Sequence, residues 1–291
     1  MHSWRATLKH LRIPFSYHLL PIFLFAMMID PAGIDMFNLG LLFVILHLFI
    51  YPASNGYNSY FDKDEQSIGG IKNPPKVDIN LYRTSLVLDA VGLALAWIIS
   101  WQIMLLVLVY GLISKAYSHP WIRLKRMPII GWFMVSIFQG YFIFCTTYLA
   151  IHTIAPTDMF VFGVQLPALL STLMLFGSYP MTQIYQHEED GRRGDYTISR
   201  KLGILGTFHF TAIVFTLATA GYIFFFVSFM ELWIAILYLI LLGPVLVFFG
   251  WWYWRVRKHT HLANYDNTMR LNTISSSCLN IFFILVFLIT S

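Results

Sequence analysis

Residues 51 to 62 read YPASNGYNSYFD and residues 179 to 190 read YPMTQIYQHEED, so each segment sets a Tyr-Pro pair ahead of polar residues that end on an aspartate. Overlaid at a constant offset of 128, Tyr51, Pro52, Tyr57 and Asp62 meet Tyr179, Pro180, Tyr185 and Asp190, while Ser54, Asn55 and Asn58 meet Thr182, Gln183 and Gln186. We read this as an internal repeat. On a helix, residues three and four apart share a face. Asn55, Asn58, Asp62 and either Glu65 or Gln66 then form one polar stripe, and Gln183, Gln186 or His187, and Asp190 form another. Around them lie Asp64, Glu188, Glu189 and Asp195, with a large share of the basic residues. Opposed carboxylates mixed with Lys and Arg suit a Mg²⁺-diphosphate, because Mg²⁺ takes hard oxygen ligands, commonly one or two carboxylates plus phosphate oxygens.

The elements that carry these stripes follow from composition. Of 291 residues, 58% are hydrophobic and only 11% are charged, against roughly 25% charged in a soluble domain; mean hydropathy is +0.66. Lipid is the natural solvent for so much apolar surface. Disorder, collagen, coiled coil and a disulfide scaffold are excluded by the same figures, and Cys145 and Cys278 suggest neither a bridge nor a metal set. Apolar stretches long enough to cross a bilayer occur at 17–35, 38–58, 84–100, 102–117, 129–151, 161–184, 206–227, 231–254 and 271–290. Only helices or closed barrels satisfy the backbone in hydrocarbon, and strand alternation is absent, so the chain is predicted to be an all-α polytopic bundle of nine helices.

Of the 19 Lys and Arg residues, 18 fall before the first stretch or in the connections after the second, fourth, sixth and eighth, and Lys115 lies at the end of the fourth, on the same side. The positive-inside rule then puts the N-terminus and the polar loops in the cytoplasm and the C-terminus outside, with a bacterial inner membrane as the expected location. The net charge of +5 reads as orientation and attraction to anionic lipid, not as a nucleic-acid footprint. No small-residue cleavage site follows the N-terminal apolar run, so it is expected to stay as the first span. Each stripe closes the second span of a four-span set. Residues 1–291 therefore form one membrane domain, with related halves at 17–117 and 129–254 and a ninth helix at 271–290. The proline of each copy frees a carbonyl and bends its helix toward the bundle axis.

NSYFDKDE, residues 58 to 65, resembles the first signature of the UbiA superfamily of intramembrane prenyltransferases, an Asn followed by aspartates four and eight positions later. Asn58 and Asp62 match; Gln66 departs, leaving Asp64 or Glu65 to supply that oxygen. GGIKNPP, residues 69 to 75, resembles the family's basic-Pro turn, and QIYQHEEDGRRGDYT, residues 183 to 197, its second signature. There Asp190 matches, Gln183 and Gln186 stand where Asp is usual, and Glu189 is one step away. YSHPWIRLKRMP, residues 117 to 128, is similar to the Tyr-containing fourth loop that ends in Lys or Arg.

The resemblance implies nine helices around a central cavity that binds an isoprenoid diphosphate through two Mg²⁺ ions at the cytoplasmic mouth, with a small acceptor nearby, aromatic as in quinone or related lipid synthesis. It implies Asp62 and Asp190 as the catalytic pair holding Mg²⁺, assisted by Asn58, Asp64, Glu65, Gln186 and Glu189. Asn58, Lys72, Lys125, Arg126 and Arg193 are the implied diphosphate contacts. Fixed cations stabilise a leaving diphosphate in a site closed to water, and aromatic walls stabilise the carbocation left behind; Tyr57, Tyr60, Tyr179 and Tyr185 are candidates. The amides of the second stripe predict a weakly held second ion.

Two other readings stay open. Pro-broken helices in repeated halves also mark transporters, so an isoprenoid or lipid transporter or binding protein is one. A divergent family member that cyclises or only binds its isoprenoid is the other. His259 and His261, two apart, cannot share a helix face. Asp89 reads either as a partner for Arg83 or as a polar cavity wall. Acceptor, chain length and oligomeric state are not legible.

Overall fold

Hydrocarbon offers no partners to backbone N–H and C=O groups, so each apolar run closes its own hydrogen bonds as a helix. The structure is a computed structural model that describes residues 2–291. Among the described residues, nine helices are long and apolar enough to cross a membrane: α1 (Trp4–Met28), α2 (Met36–Asp62), α3 (Ile79–Ile99), α4 (Trp101–Ser118), α5 (Pro128–His152), α6 (Phe162–Thr182), α7 (Ile198–Phe229), α8 (Leu232–Lys258) and α9 (Tyr265–Thr290). The only β-type pairing among the described residues is an isolated bridge between Ile68 and Ile71, in the connection after α2. Both cysteines are free.

The all-α architecture is as predicted, but several helix ends are not. α1 starts at Trp4, not near residue 17, and is interrupted by a 3₁₀ turn at Ile13–His18 behind Arg12 in the left-handed region (φ 49°). α7 begins at Ile198, eight residues before its apolar stretch, and passes through a kink at Gly203 (φ 71°). α9 begins at Tyr265. Helix ends carry cations and polar groups whose aliphatic stems still lie along apolar surface, so hydropathy undercounts them.

Each helix packs against the next in sequence and α9 returns to α1, which closes a ring, with α1 also crossing α5 inside it. Away from Asp62, the centre is filled by aromatic rings from several helices. Phe25 of α1 stacks on Phe283 of α9 at 4.8 Å and meets Phe144 of α5 at 5.4 Å and Tyr222 of α7 at 5.2 Å. These rings form an aromatic plug at the end of the bundle away from Asp62.

Two spans contain π-helical turns, Ile45–Ile50 in α2 and Phe138–Phe142 in α5, a feature that re-aims the helix beyond it. In α5 the turn brings Gly140 against α6. A Cβ there would stand 2.6 Å from the Thr172 Cα and 2.7 Å from its nitrogen, while the Thr172 hydroxyl accepts the Tyr141 N–H at 2.8 Å. Gly140→Ala is therefore expected to push the helices apart and destabilise by about 1–3 kcal/mol, read as a lower unfolding midpoint in detergent. An unchanged midpoint would show that the two helices part there without cost.

Candidate functional site

After its π-turn, α2 restarts at Tyr51-Pro52 and ends on Asp62, because Lys63 adopts the left-handed conformation (φ 51°) that terminates helices. The first stripe was expected to run on to Glu65 or Gln66; instead Asp64, Glu65 and Gln66 lie in the connection that follows. The second stripe also departs from expectation. Pro180 has no N–H for the Phe176 carbonyl, which accepts the Trp132 indole N–H at 3.0 Å, and the Gly177 carbonyl accepts the Thr211 hydroxyl at 2.9 Å. α6 stops at Thr182, a turn follows, and Asp190 lies on the short helix His187–Arg192. Gln183, Gln186 and Asp190 therefore share no continuous helix face. Both amides are engaged: Gln183 Oε1 accepts the Ser199 N–H at 3.4 Å, and the Gln186 amide donates to the Ser67 carbonyl at 3.5 Å.

The α4–α5 connection supplies the cations. Arg123, left-handed at φ 45°, donates from Nε and Nη2 to both oxygens of Asp195 at 2.8 and 2.9 Å. Lys125 Nζ lies 2.7 Å from Asp62 and 3.0 Å from Asp195, and the Ser118 hydroxyl donates to Asp62 at 3.3 Å. Asp195 is 0% exposed, which would raise its pKa, but its bond to Arg123 and the charge of Lys125 hold it below the ordinary carboxylate range. Arg126 lies 3.7 Å from Asp195 with its side chain half exposed. Sequence reading placed Lys125 here but missed Arg123 and the centrality of Asp195. The available signal was an acid beside Gly194 in a chain where acids are scarce.

A second network joins the two connections. Glu189 accepts the backbone N–H groups of Glu65 and Gln66 at 2.7 and 3.1 Å and Arg193 Nη2 at 2.7 Å; Arg193 also pairs with Asp64. Glu189, expected as a metal ligand, is instead the clamp between loops, and the Glu65 side chain is exposed. Lys72, expected at the diphosphate, pairs with Asp266 at 2.8 Å in the solvent-exposed rim. Replacing the clamp by Glu189→Gln leaves two amide donors competing for one neutral oxygen, at a cost of about 1–3 kcal/mol. The Glu65 and Gln66 amides are then expected to exchange hydrogen faster by mass spectrometry, and unaltered protection would reject the clamp.

Of Asp62, Asp64, Glu189, Asp190 and Asp195, only Asp190 has no Lys or Arg within ion-pair distance. It accepts the Thr197 hydroxyl at 3.3 Å. Burial, reinforced by Asp195 and Asp64 and opposed by Lys125, pushes its pKa up to about 7. Beside this cluster a cavity of about 130 Å³ opens between α2, α4, α5 and α6, with Asn58, Tyr110, Tyr117, Phe138, Gln139 and Tyr179 among its walls. The Tyr117 and Tyr179 hydroxyls are hydrogen-bonded to each other. The buried Asn58 Oδ1, one turn before Asp62, has no hydrogen-bond partner.

Of the expected aromatic walls only Tyr179 lines this cavity. Tyr57 lies under Lys115 at 5.4 Å, Tyr60 against Tyr82 at 5.1 Å and Tyr185 against Tyr265 at 5.4 Å. Asp89 pairs with Lys115 at 2.5 Å and not with Arg83. Among the described residues no three His, Cys, Asp or Glu side chains cluster as a ready metal cage. The free Asn58 oxygen, Asp62 and Asp190 are nonetheless hard oxygen donors of the kind Mg²⁺ accepts.

The model of the UbiA prenyltransferase family matches residues 19–274. No curated protein is a detectable relative. Among solved structures, the chain is similar to a UbiA homologue from Archaeoglobus fulgidus bound to DMAPP and Mg²⁺, with TM-score 0.64 and 15% identity over 97% of this chain and 98% of that one. The same homologue bound to GPP and Mg²⁺ gives TM-score 0.62 and 14% identity over 97% and 99%. A digeranylgeranylglyceryl phosphate synthase gives TM-score 0.60 and 18% identity over 99% and 98%.

Proposed function

Because the chain belongs to the UbiA prenyltransferase family, we propose that it moves an isoprenoid chain from its diphosphate to a small acceptor, aromatic as in quinone or related lipid synthesis. The observation that carries this reading is the tyrosine-walled cavity opening beside the cluster of Asp62, Asp190, Asp195, Arg123 and Lys125. Lys125 and Arg123, fixed and desolvated, favour negative charge on a departing diphosphate at the moment the allylic carbon–oxygen bond ionises. The faces of Tyr117 and Tyr179 favour the carbocation that remains. The aromatic plug at the far end keeps water from capturing it. Asn58, Asp62 and Asp190 would hold a Mg²⁺ ion, which supplies further charge to offset the leaving group. The bound GPP, DMAPP and Mg²⁺ of the archaeal homologue support this reading.

The chain is an integral membrane protein. Its one-sided Lys and Arg support cytoplasmic placement of the cluster and an outside C-terminus, and the location we propose is a bacterial inner membrane. The matching Tyr-Pro and Asp positions support related halves at 17–117 and 129–254. The test is pyrophosphate release from prenyl diphosphates of increasing length by the purified chain, with Mg²⁺ and a lipid extract as acceptor source, and identification of the product by mass. Release together with a prenylated product is expected. Tight isoprenoid retention with no release at any length would replace the transferase reading by a binding protein.

A further inference from the structure

The structure holds one carboxylate pair in a way that bears on how many metal ions the site takes. Asp62 at the end of α2 and Asp195 just before α7 face each other across a single ammonium, Lys125 Nζ, at 2.7 and 3.0 Å. The Lys125 side chain is only 7% exposed, so this contact is part of the packed interior. Bridging two carboxylates from different loops is what an interposed metal ion would otherwise do. Of the other acids near the mouth, Glu65 is exposed to solvent and two more are spent. Asp64 pairs with Arg193, and Glu189 is occupied by two backbone N–H groups and Arg193. The second stripe carries Gln183 and Gln186, whose amides bond to Ser199 and Ser67. What stays available to a cation is Asp190, without an ionic partner, the unpartnered Asn58 Oδ1, and the share of Asp62 that Lys125 does not take.

We propose that this chain holds its diphosphate with one divalent cation, the place of a second being filled permanently by the Lys125 ammonium between Asp62 and Asp195. The inference rests on the diphosphate-binding reading above. A fixed monovalent cation differs from a second Mg²⁺ in two ways: it needs no metal to be present, and it donates hydrogen bonds to phosphate oxygens instead of accepting them as ligands. Packing supports it from below, since Arg123 holds Asp195 in a bidentate bond that orients the carboxylate toward Lys125.

The test counts ions. The detergent-solubilised full chain, saturated with inorganic pyrophosphate, is dialysed to equilibrium against Mn²⁺ and examined by electron paramagnetic resonance. One Mn²⁺ per chain with an uncoupled spectrum is expected. Two per chain with exchange coupling overturns the inference and leaves the diphosphate-binding reading standing, whereas no retained pyrophosphate at any Mn²⁺ concentration overturns both. In Lys125→Gln the count is expected to rise from one to two, and a count that stays at one rejects Lys125 as the occupant. Lys125→Arg keeps the charge and is expected to hold one ion; two would overturn the inference even if the Gln variant failed to fold.

Discussion

Asp195→Ala is expected to destabilise the chain by about 3–5 kcal/mol, the range for removing one partner of a buried ion pair. The carboxylate is wholly buried, receives both arms of Arg123 and lies 3.0 Å from Lys125. Without it two cations remain desolvated side by side, with only Asp62 left between them. The α4–α5 connection and the start of α7 then lose the charge that joins them, because Arg123 and Asp195 come from those two segments. At roughly 2–4 °C per kcal/mol for a chain of this size, the apparent unfolding midpoint in a fixed detergent should fall by on the order of 10 °C. Removing the stranded charge as well, in Asp195→Ala with Arg123→Met, should recover part of the loss. A single variant within about 1 kcal/mol of the parent would mean that water reaches the cluster and solvates the cations.

Asp190→Asn should behave in the opposite way. Its carboxylate has no cation to grip it and is held against its preference for water, with a pKa raised to about 7. A raised folded-state pKa means that the folded chain binds the proton more tightly than the unfolded one. The stability contributed by that proton is complete below the ordinary carboxylate value and disappears as pH rises through about 7. An amide of the same shape removes this penalty, so the variant should unfold no more easily than the parent at neutral pH and should lose that pH dependence. Turnover, in contrast, should fall by about 10²-fold or more, the scale of deleting one group that stabilises developing charge. Pyrophosphate release and thermal unfolding on the same preparation decide it: full Mg²⁺-dependent turnover in Asp190→Asn removes this residue from the metal role. Lower stability with lower turnover would make Asp190 structural, like Asp195.

The contrast between these two aspartates shows where sequence reasoning ran out. Both lie within one short acidic connection, and only Asp190 sits at the repeat position matching Asp62. Nothing in the spacing shows that Asp195 is locked between Arg123 and Lys125, or that Glu189 spends its oxygens on the Glu65 and Gln66 amides. Lys72 illustrates the same limit. Its place in a Lys-Asn-Pro-Pro turn suggested a phosphate contact, and the fold gives it Asp266 on α9 instead. The helix ends were misjudged for a related reason, since left-handed Lys63 and the turn after Pro180 break two stripes that a regular helix would have continued.

The nine membrane-length helices among the described residues, their order and the gathering of polar groups at their motif ends were determined by the sequence alone. Hydropathy and the backbone's need for hydrogen bonds act locally along the chain, and lipid leaves the backbone no alternative. Which acid is bound, which is free and which cation stands between them was decided only by tertiary structure. Those facts depend on three connections far apart in sequence meeting at one buried point, where burial makes each charge's partner decide its behaviour.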